Sequence, residues 1–487
     1  MEVVNHTPFG AAAFRGLDAQ DREHDVVVVR AVYRLTPDWQ LQGALPPQSN
    51  MVTLLVPQLI DVEAPGLITA DQYHGELGNS SVHVESDLAP FKPRCDVIVS
   101  GHSHAPGGVP AAKWLTRLRV SQPSRHAQAQ AAPRQLPWPE PVEDIDFATR
   151  LAWQEVQRQH IHDWLRAPSP EGRHMRELLL DKSLIVHSPR QFVRGLLGGW
   201  TLEALAPEPR VPLRWELAYG GRWQVPNPQH GQRADVPQHL LNEVCYLNPV
   251  GCGWMHQDLA QALKAARLPV PASFMAPQFE YADDAIARPI TQPDLTPQEA
   301  GLSVAQMAQQ ATRYKHRPAG FGVVGRAWTP RIQHAGSYDQ PWLEERWPNL
   351  PKDFDMGYWC AAPVDQQIQF PRPDAYIELV NLVDPQLCPS GHAVVMLPGH
   401  AATVVFRTAS GLMLGGPCVI DTLHVDTDAM QLSVTWRASV LHAMQSRVAE
   451  LRFEVDPNKS LFVAAPTAQA LQAQQAQQAQ QAEPTDG

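Results

Sequence analysis

Residues 25–35 read DVVVVRAVYRL, an apolar, β-branched run set between polar flanks. β-Branched side chains hold a narrow set of χ1 rotamers and pack well on a pleated surface, so this run predicts a strand. Working outward, shorter runs of the same kind lie at Met51–Leu55, Ser81–Glu85, Asp96–Ser100 and Trp114–Val120, with turn signals at Gly75, Gly78-Asn79 and Pro90 between them. The series resumes at Ser183–His187, Trp200–Leu205 and Val211–Tyr219. It continues at Ala375–Leu382, Ala393–Met396, Thr403–Arg407, Thr422–Val425, Leu432–Arg437 and Val448–Val455. Short, punctuated strands predict a mostly β protein: an antiparallel sandwich or barrel-like scaffold, with a helical insertion and long ordered loops.

Helical spacing is confined to a few places. Ile145, Phe147, Leu151, Val156 and Trp164 predict an amphipathic helix over 144–166, with a helical neighbour near Met175–Leu180. Asp258–Arg267 is helical in pattern and ends at Pro269, and Thr296-Pro297 with Glu299 forms a capping-box signal. Residues 121–141, rich in Ala, Gln and Pro, read as a linker or exposed loop. The chain therefore divides into a β-rich unit (1–120), a linker plus helical insertion (121–182), a β-rich middle (183–317), an aromatic-rich hub with a C-terminal β-rich unit (318–464), and a low-complexity Ala/Gln tail (465–487).

The 487 residues are 44% hydrophobic and 18% charged, a composition that supports two or three cores in a soluble protein. Pro (46) and Gly (30) favour turns and edge strands over long helices. A net charge of −11 argues against nucleic acid or an anionic membrane as partner, since both attract basic patches. The start, MEVVNHTPFG, lacks a basic segment followed by an apolar one, and no apolar run is long enough to span a bilayer. Six scattered cysteines suit buried thiols in a reducing cytoplasm.

Pro318–Pro363 gathers Phe321, Trp328, Tyr338, Trp342, Trp347, Phe354, Tyr358 and Trp359 among repeated Pro and Gly with no period. Aromatic residues are scarce in disordered chains, so this predicts an ordered run of turns and short strands. It reads as a structural hub and also as a partner-binding surface anchored by Trp328, Arg331, Tyr338, Trp342 and Trp347.

Two groups of residues invite a catalytic reading. Asp96–His104, DVIVSGHSH, ends a strand in Gly-His-Ser-His, the way binuclear phosphoesterases present two imidazoles to metal, but no Gly-Asp pair or further ligand motif accompanies His102 and His104. Asp353 and Asp355 beside several Trp suit a glycan hydrolase, yet paired Asp in a Pro-bounded loop also cap turns. No phosphate-binding loop, dinucleotide fingerprint or nucleophile elbow is present. The expectation is no catalytic residue, no metal and no cofactor, with a metal-dependent or glycan-directed hydrolase as the alternative.

Several blocks taken together resemble one family: Asn5–Phe9; Asp87 with Lys92-Pro93-Arg94-Cys95-Asp96 and Gly101–Pro106; Trp215–Gly221, containing Gly220 and Gly221; Asn248-Pro249; Trp328–Arg331; Gly336–Asp339; Leu350–Asp355, containing Asp353 and Asp355; Asp421-Thr422; and Trp436-Arg437. The chain is similar over about residues 5–440 to domain-of-unknown-function family 2169. Cys95 and Ser337 depart mildly from that pattern. The resemblance implies a cytoplasmic accessory protein of bacterial type VI secretion, an adaptor or chaperone whose partners are a secreted effector and the PAAR and VgrG spike proteins. It implies structural roles for Asp87, Lys92, Pro93, Asp96, Gly101, Pro106, Gly220, Gly221, Asn248, Pro249, Asp339, Asp353, Asp355, Asp421 and Arg437, and it supplies no catalytic residue.

Overall fold

The computed structural model describes residues 1–18, 20–46, 51–60, 66–75, 80–123, 176–194, 200–219, 222–226, 240–244, 273–283, 319–326 and 331–455. The helix expected over 144–166, the one over 258–267, the capping box at Thr296 and the Ala/Gln tail lie outside the described residues. So do Trp328, Gly220, Gly221, Asn248 and Pro249.

The chain is mostly β, and twelve of its strands join in one large curled sheet that forms a half-barrel. At the centre of that sheet is the DVVVVRAVYRL run, inside the Glu23–Pro37 strand. On one side it pairs with Gly10–Leu17 and Thr53–Leu59, and through the latter the sheet continues to His392–Met396, Tyr376–Val380, Lys113–Pro123, Arg176–His187 and Phe279–Tyr281. On the other side follow Gln431–Leu441, Val419–Asp426, Cys95–Ser100 and Gln367–Ile368. Most neighbours are antiparallel, as punctuated strands predict. Two pairs are parallel: His392–Met396 with Thr53–Leu59, and Val419–Asp426 with Cys95–Ser100.

A second sheet holds Glu2–Asn5, Ser446–Val455, His400–Thr408 and Met413–Pro417 in that order. Both sheets feed one apolar core, in which Val27, Val29, Tyr33, Leu423 and Trp436 meet Val404, Phe406 and Leu451. Phe9 stacks on Trp436 with ring centroids 5.7 Å apart, and the Tyr33 hydroxyl lies 2.7 Å from His400 Nδ1.

Two local expectations are corrected. Met175–Leu180 was expected to be helical, but Arg176–His187 is a strand, paired along its length with Lys113–Pro123 across a bulge between Leu178 and Leu180. Long-range pairing here overrides a weak local pattern. Val211–Tyr219 is a strand only over Arg210–Pro212, after which Glu216–Tyr219 forms a single helical turn.

Alternation along four central strands gives the sheet two unlike faces. Val27, Val29, Ala31 and Tyr33 of one strand, Val97 and Val99 of a second, Leu423 and Val425 of a third, and Leu432, Val434 and Trp436 of a fourth enter the apolar core. The intervening residues Arg30, Asp96, Ser100, His424, Ser433, Thr435 and Arg437 are also buried, under a cover that includes Asp87, Ala89 and Lys92.

Candidate partner-binding surface

The polar face is closed by charge pairs. Asp96, fully buried, accepts from Lys92 Nζ at 2.7 Å and from the backbone N–H groups of Ala361 and Ala362 at 2.8 and 3.1 Å. Lys92 also donates to Thr422 Oγ1 at 2.8 Å. Burial alone would lower the Lys92 pKa, but the neighbouring Asp96 and Asp421 carboxylates outweigh it and raise it. A register shift between Ile420 and Thr422 marks a bulge at Asp421, whose carboxylate accepts from Arg437 Nε at 2.5 Å. Arg437 Nη1 donates to Ala89 O at 2.5 Å, and Asp87 lies 3.6 Å from Arg30 Nη1. Of the residues that carry the family resemblance, Asp87, Lys92, Asp96, Asp421 and Arg437 are thus brought together, as a buried scaffold between the sheet and its covering loops.

That cover runs into the aromatic hub, whose described parts are turns, 3-10 turns and one short helix rather than short strands. Arg331 was expected among the partner anchors, but it is buried. Its guanidinium grips Glu85 with both ends, and it donates to the carbonyls of Val324 and Tyr358 at 2.8 and 2.7 Å. A buried bidentate Arg–carboxylate pair with two further acceptors ties the hub to the loop that carries Glu85 and leaves no donor face for a partner.

Beyond this clasp the chain turns outward. Gly336 has φ +76°, and a Cβ there would stand 2.9 Å from Asp353 Oδ1. The freed space lets Asp353 accept from Ser337 N and Oγ at 2.9 and 2.7 Å, bonds that lower its pKa. Asp355 caps Gly357 N at 2.7 Å and bonds His334 Nδ1 at 3.0 Å. Both carboxylates are therefore engaged as turn caps.

Asp339 caps the helix Gln340–Glu345 by accepting from Trp342 N at 3.0 Å. Its aromatic flank is a ladder: Tyr338 meets Trp342 edge-on with centroids 4.8 Å apart, and Trp342 meets Trp347 edge-on at 5.7 Å. Trp342 is half-buried and donates its indole N–H to Asn349 O at 2.9 Å. Tyr338, Leu343 and Trp347 remain 55%, 52% and 65% exposed. Just past the helix, Arg346 forms a bidentate pair with Asp21 at 2.5 and 2.9 Å and donates to Leu350 O at 2.7 Å. The ladder helix is thus capped at its start by Asp339, tied to the body at its end through Arg346, and open along its aromatic face.

The Gly-His-Ser-His segment is held by long-range contacts, with His102–His104 a short strand paired to Arg210–Pro212. Gly101 has φ +110°, and a Cβ there would fall 2.4 Å from Thr427 Oγ1, so the turn requires glycine. His102 Nδ1 lies 2.7 Å from Asp428 Oδ2, while His104 is buried and its backbone N–H donates to Asn381 O at 2.8 Å. Pro106 opens the 3-10 turn that follows, and Pro93 is exposed beside Lys92. Among the described residues no three His, Cys, Asp or Glu are grouped to hold a metal ion, and no helix is long and apolar enough to cross a membrane. Cys95, Cys360, Cys388 and Cys418 are buried free thiols, and burial pushes Cys360 and Cys418 up to about 12.

Sequence reasoning singled out the ladder residues but not their tether. Asp21 sits in a hairpin turn far away in sequence, and nothing local to it signals an ion pair to Arg346.

No curated protein and no solved structure matches this chain. A family model described as "Uncharacterized protein conserved in bacteria (DUF2169)" matches residues 20–149 and 173–437, most of the length. The chain belongs to that family.

Proposed function

We propose that this protein is a non-enzymatic adaptor or chaperone that holds a secreted effector for loading onto the PAAR/VgrG spike of a type VI secretion system. The observation that supports binding is the ladder of Tyr338, Trp342 and Trp347, with Leu343 beside it. Large aromatic side chains left in water by a fold with ample core to bury them fit the profile of interface anchors. Their rigid mounting lowers the ordering cost of binding, because the Asp339 cap and the Arg346–Asp21 pair already hold the helix in place. The assignment to secretion, and to effector and spike proteins as partners, rests on the resemblance of the motif blocks from Asn5 to Arg437.

The test is co-expression of the tagged protein with an effector, a PAAR protein and a VgrG protein from the same gene cluster. Stoichiometric recovery of one of them, lost in a Tyr338→Ala/Trp347→Ala variant of unchanged thermal stability, supports the reading. Recovery of none, or recovery indifferent to the double substitution, removes the ladder from the account.

A further inference from the structure

A cavity of ≈ 230 Å³ opens where the hairpin turn after Leu17 meets Phe91 and Met356. Its one carboxylate, Asp18, is occupied internally. Asp18 accepts from the backbone N–H groups of Gln20 and Arg22, both at 2.9 Å, from Arg22 Nε at 2.8 Å, and bonds His24 Nε2 at 3.0 Å. Four bonds saturate a carboxylate, so it offers little to a charged ligand. Pro90 closes on Gly16 so tightly that a Cβ there would lie 2.4 Å from Pro90 Cβ. Beside Asp18 the lining is apolar at Leu17, Met356 and Phe91, the last 45% exposed, and polar at Gln20, Arg22, His24 and Ser439.

The cavity also adjoins the ladder's mount. Asp21, between the lining residues Gln20 and Arg22, is the residue that pairs with Arg346 at the end of the ladder helix. Residues 20–22 therefore both line the cavity and anchor the exposed aromatic face.

We propose that this cavity is an anchor pocket for a single large apolar side chain, aromatic or leucine-like, carried by the polypeptide that crosses the ladder. This rests on the adaptor reading above. The volume suits one bulky side chain, Leu17, Phe91 and Met356 give it apolar walls, the saturated Asp18 beside the Arg22 guanidinium offers nothing to a cation, and binding energy at interfaces concentrates where an anchor enters a preformed pocket.

The test uses N-acetyl-tryptophanamide, N-acetyl-leucinamide and N-acetyl-lysinamide as probes of the full-length protein, read by ligand-observed NMR. The expected result is saturable binding of the tryptophan and leucine amides and none of the lysine amide. Binding should fall at least about tenfold when Leu17→Trp or Ser439→Phe fills the cavity, and stay unchanged in Trp347→Ala. Equal binding of the lysine amide, binding that survives both filling substitutions, or no binding of any probe overturns the proposal. The same variants separate it from the adaptor reading. Spike-partner capture that needs Trp347 but ignores Leu17→Trp and Ser439→Phe sinks the pocket alone. Failed capture with probe binding intact leaves the pocket standing and sinks the adaptor.

Discussion

The two faces of the central strands are equally buried but unlike: one is apolar throughout, while the other sets charge pairs among buried residues such as Val28 and Ile98. Val29, Leu423 and Trp436 sit at 0–1% exposure in a continuous apolar core, while Asp96, Asp421 and Arg437 sit at 0–4% on the other side of the same strands. The apolar face is held by area removed from water, an interaction that tolerates exchange of one hydrocarbon for another of similar volume. The polar face is held by pairs, in which each charge is acceptable only because a particular partner is present. A one-residue slip of any of these strands would bring charge into the core and valine against Lys92, so the contrast defines the register.

The largest effect should come from breaking one of those pairs. Asp96→Ala removes the acceptor of Lys92 and of two backbone N–H groups, and should cost about 3–5 kcal/mol in urea unfolding. Pairing Lys92→Met with Asp96→Asn should recover more than half of that loss, since no unpaired buried charge remains. If the double variant is as unstable as the sum of its single changes, the pair is not the unit of stability and the contrast between faces fails.

On the apolar face, Leu423→Ala leaves a cavity and should cost about 3 kcal/mol, with no second substitution across the sheet rescuing it. A loss under about 1 kcal/mol would mean that this core is loosely packed.

Next comes acidification. His424 and His74, which ordinarily titrate near 6.5, are held down to about 3: burial comes first, and His83 beside both adds to it. A neutral buried histidine contributes stability that is complete above its unfolded pKa and is lost as pH falls towards the folded one. Stability should therefore be flat above pH 6.5 and fall between 6.5 and about 3, with roughly 3 kcal/mol lost from His424 by pH 4. Asp18 behaves differently: burial would raise its pKa, but its hydrogen bonds to Arg22, His24 and Gln20 hold it at about 2, so its contribution is lost only below about 3.8. His424→Asn should flatten the upper part of the curve, and an unaltered curve would move the acid sensitivity to another group.

The smallest effect should be on the open surface. Trp347→Ala and Leu343→Ser each remove exposed apolar area and should change unfolding free energy by less than about 0.5 kcal/mol. A larger loss would make the ladder part of the fold and remove it as a docking face.

Much of this was legible along the chain. Strands from Glu23–Pro37 to Ser446–Val455 announce themselves by β-branched runs between turn residues, because the strand period and turn chemistry are local properties. The ladder was legible as a concentration of Trp and Tyr, although composition alone could not separate exposed Trp347 from buried Arg331. The strand at Arg176–His187 was not legible, since its conformation comes from pairing with Lys113–Pro123 across more than fifty intervening residues. The pocket was equally hidden, as its walls come from residues 16–18, 20, 22, 24, 90–91, 356 and 439.

By itself, the sequence determined the fold class, the strands with strong β-branched runs and the aromatic concentration, because each depends on neighbours within a few residues. The tertiary structure alone decided which charges pair across the sheet, which aromatic rings stay in water, and that Asp21 and Arg346 join a hairpin to a helix. Burial and ion pairing depend on separation in space, and residues such as Asp21 and Arg346 become neighbours only once the sheet has closed.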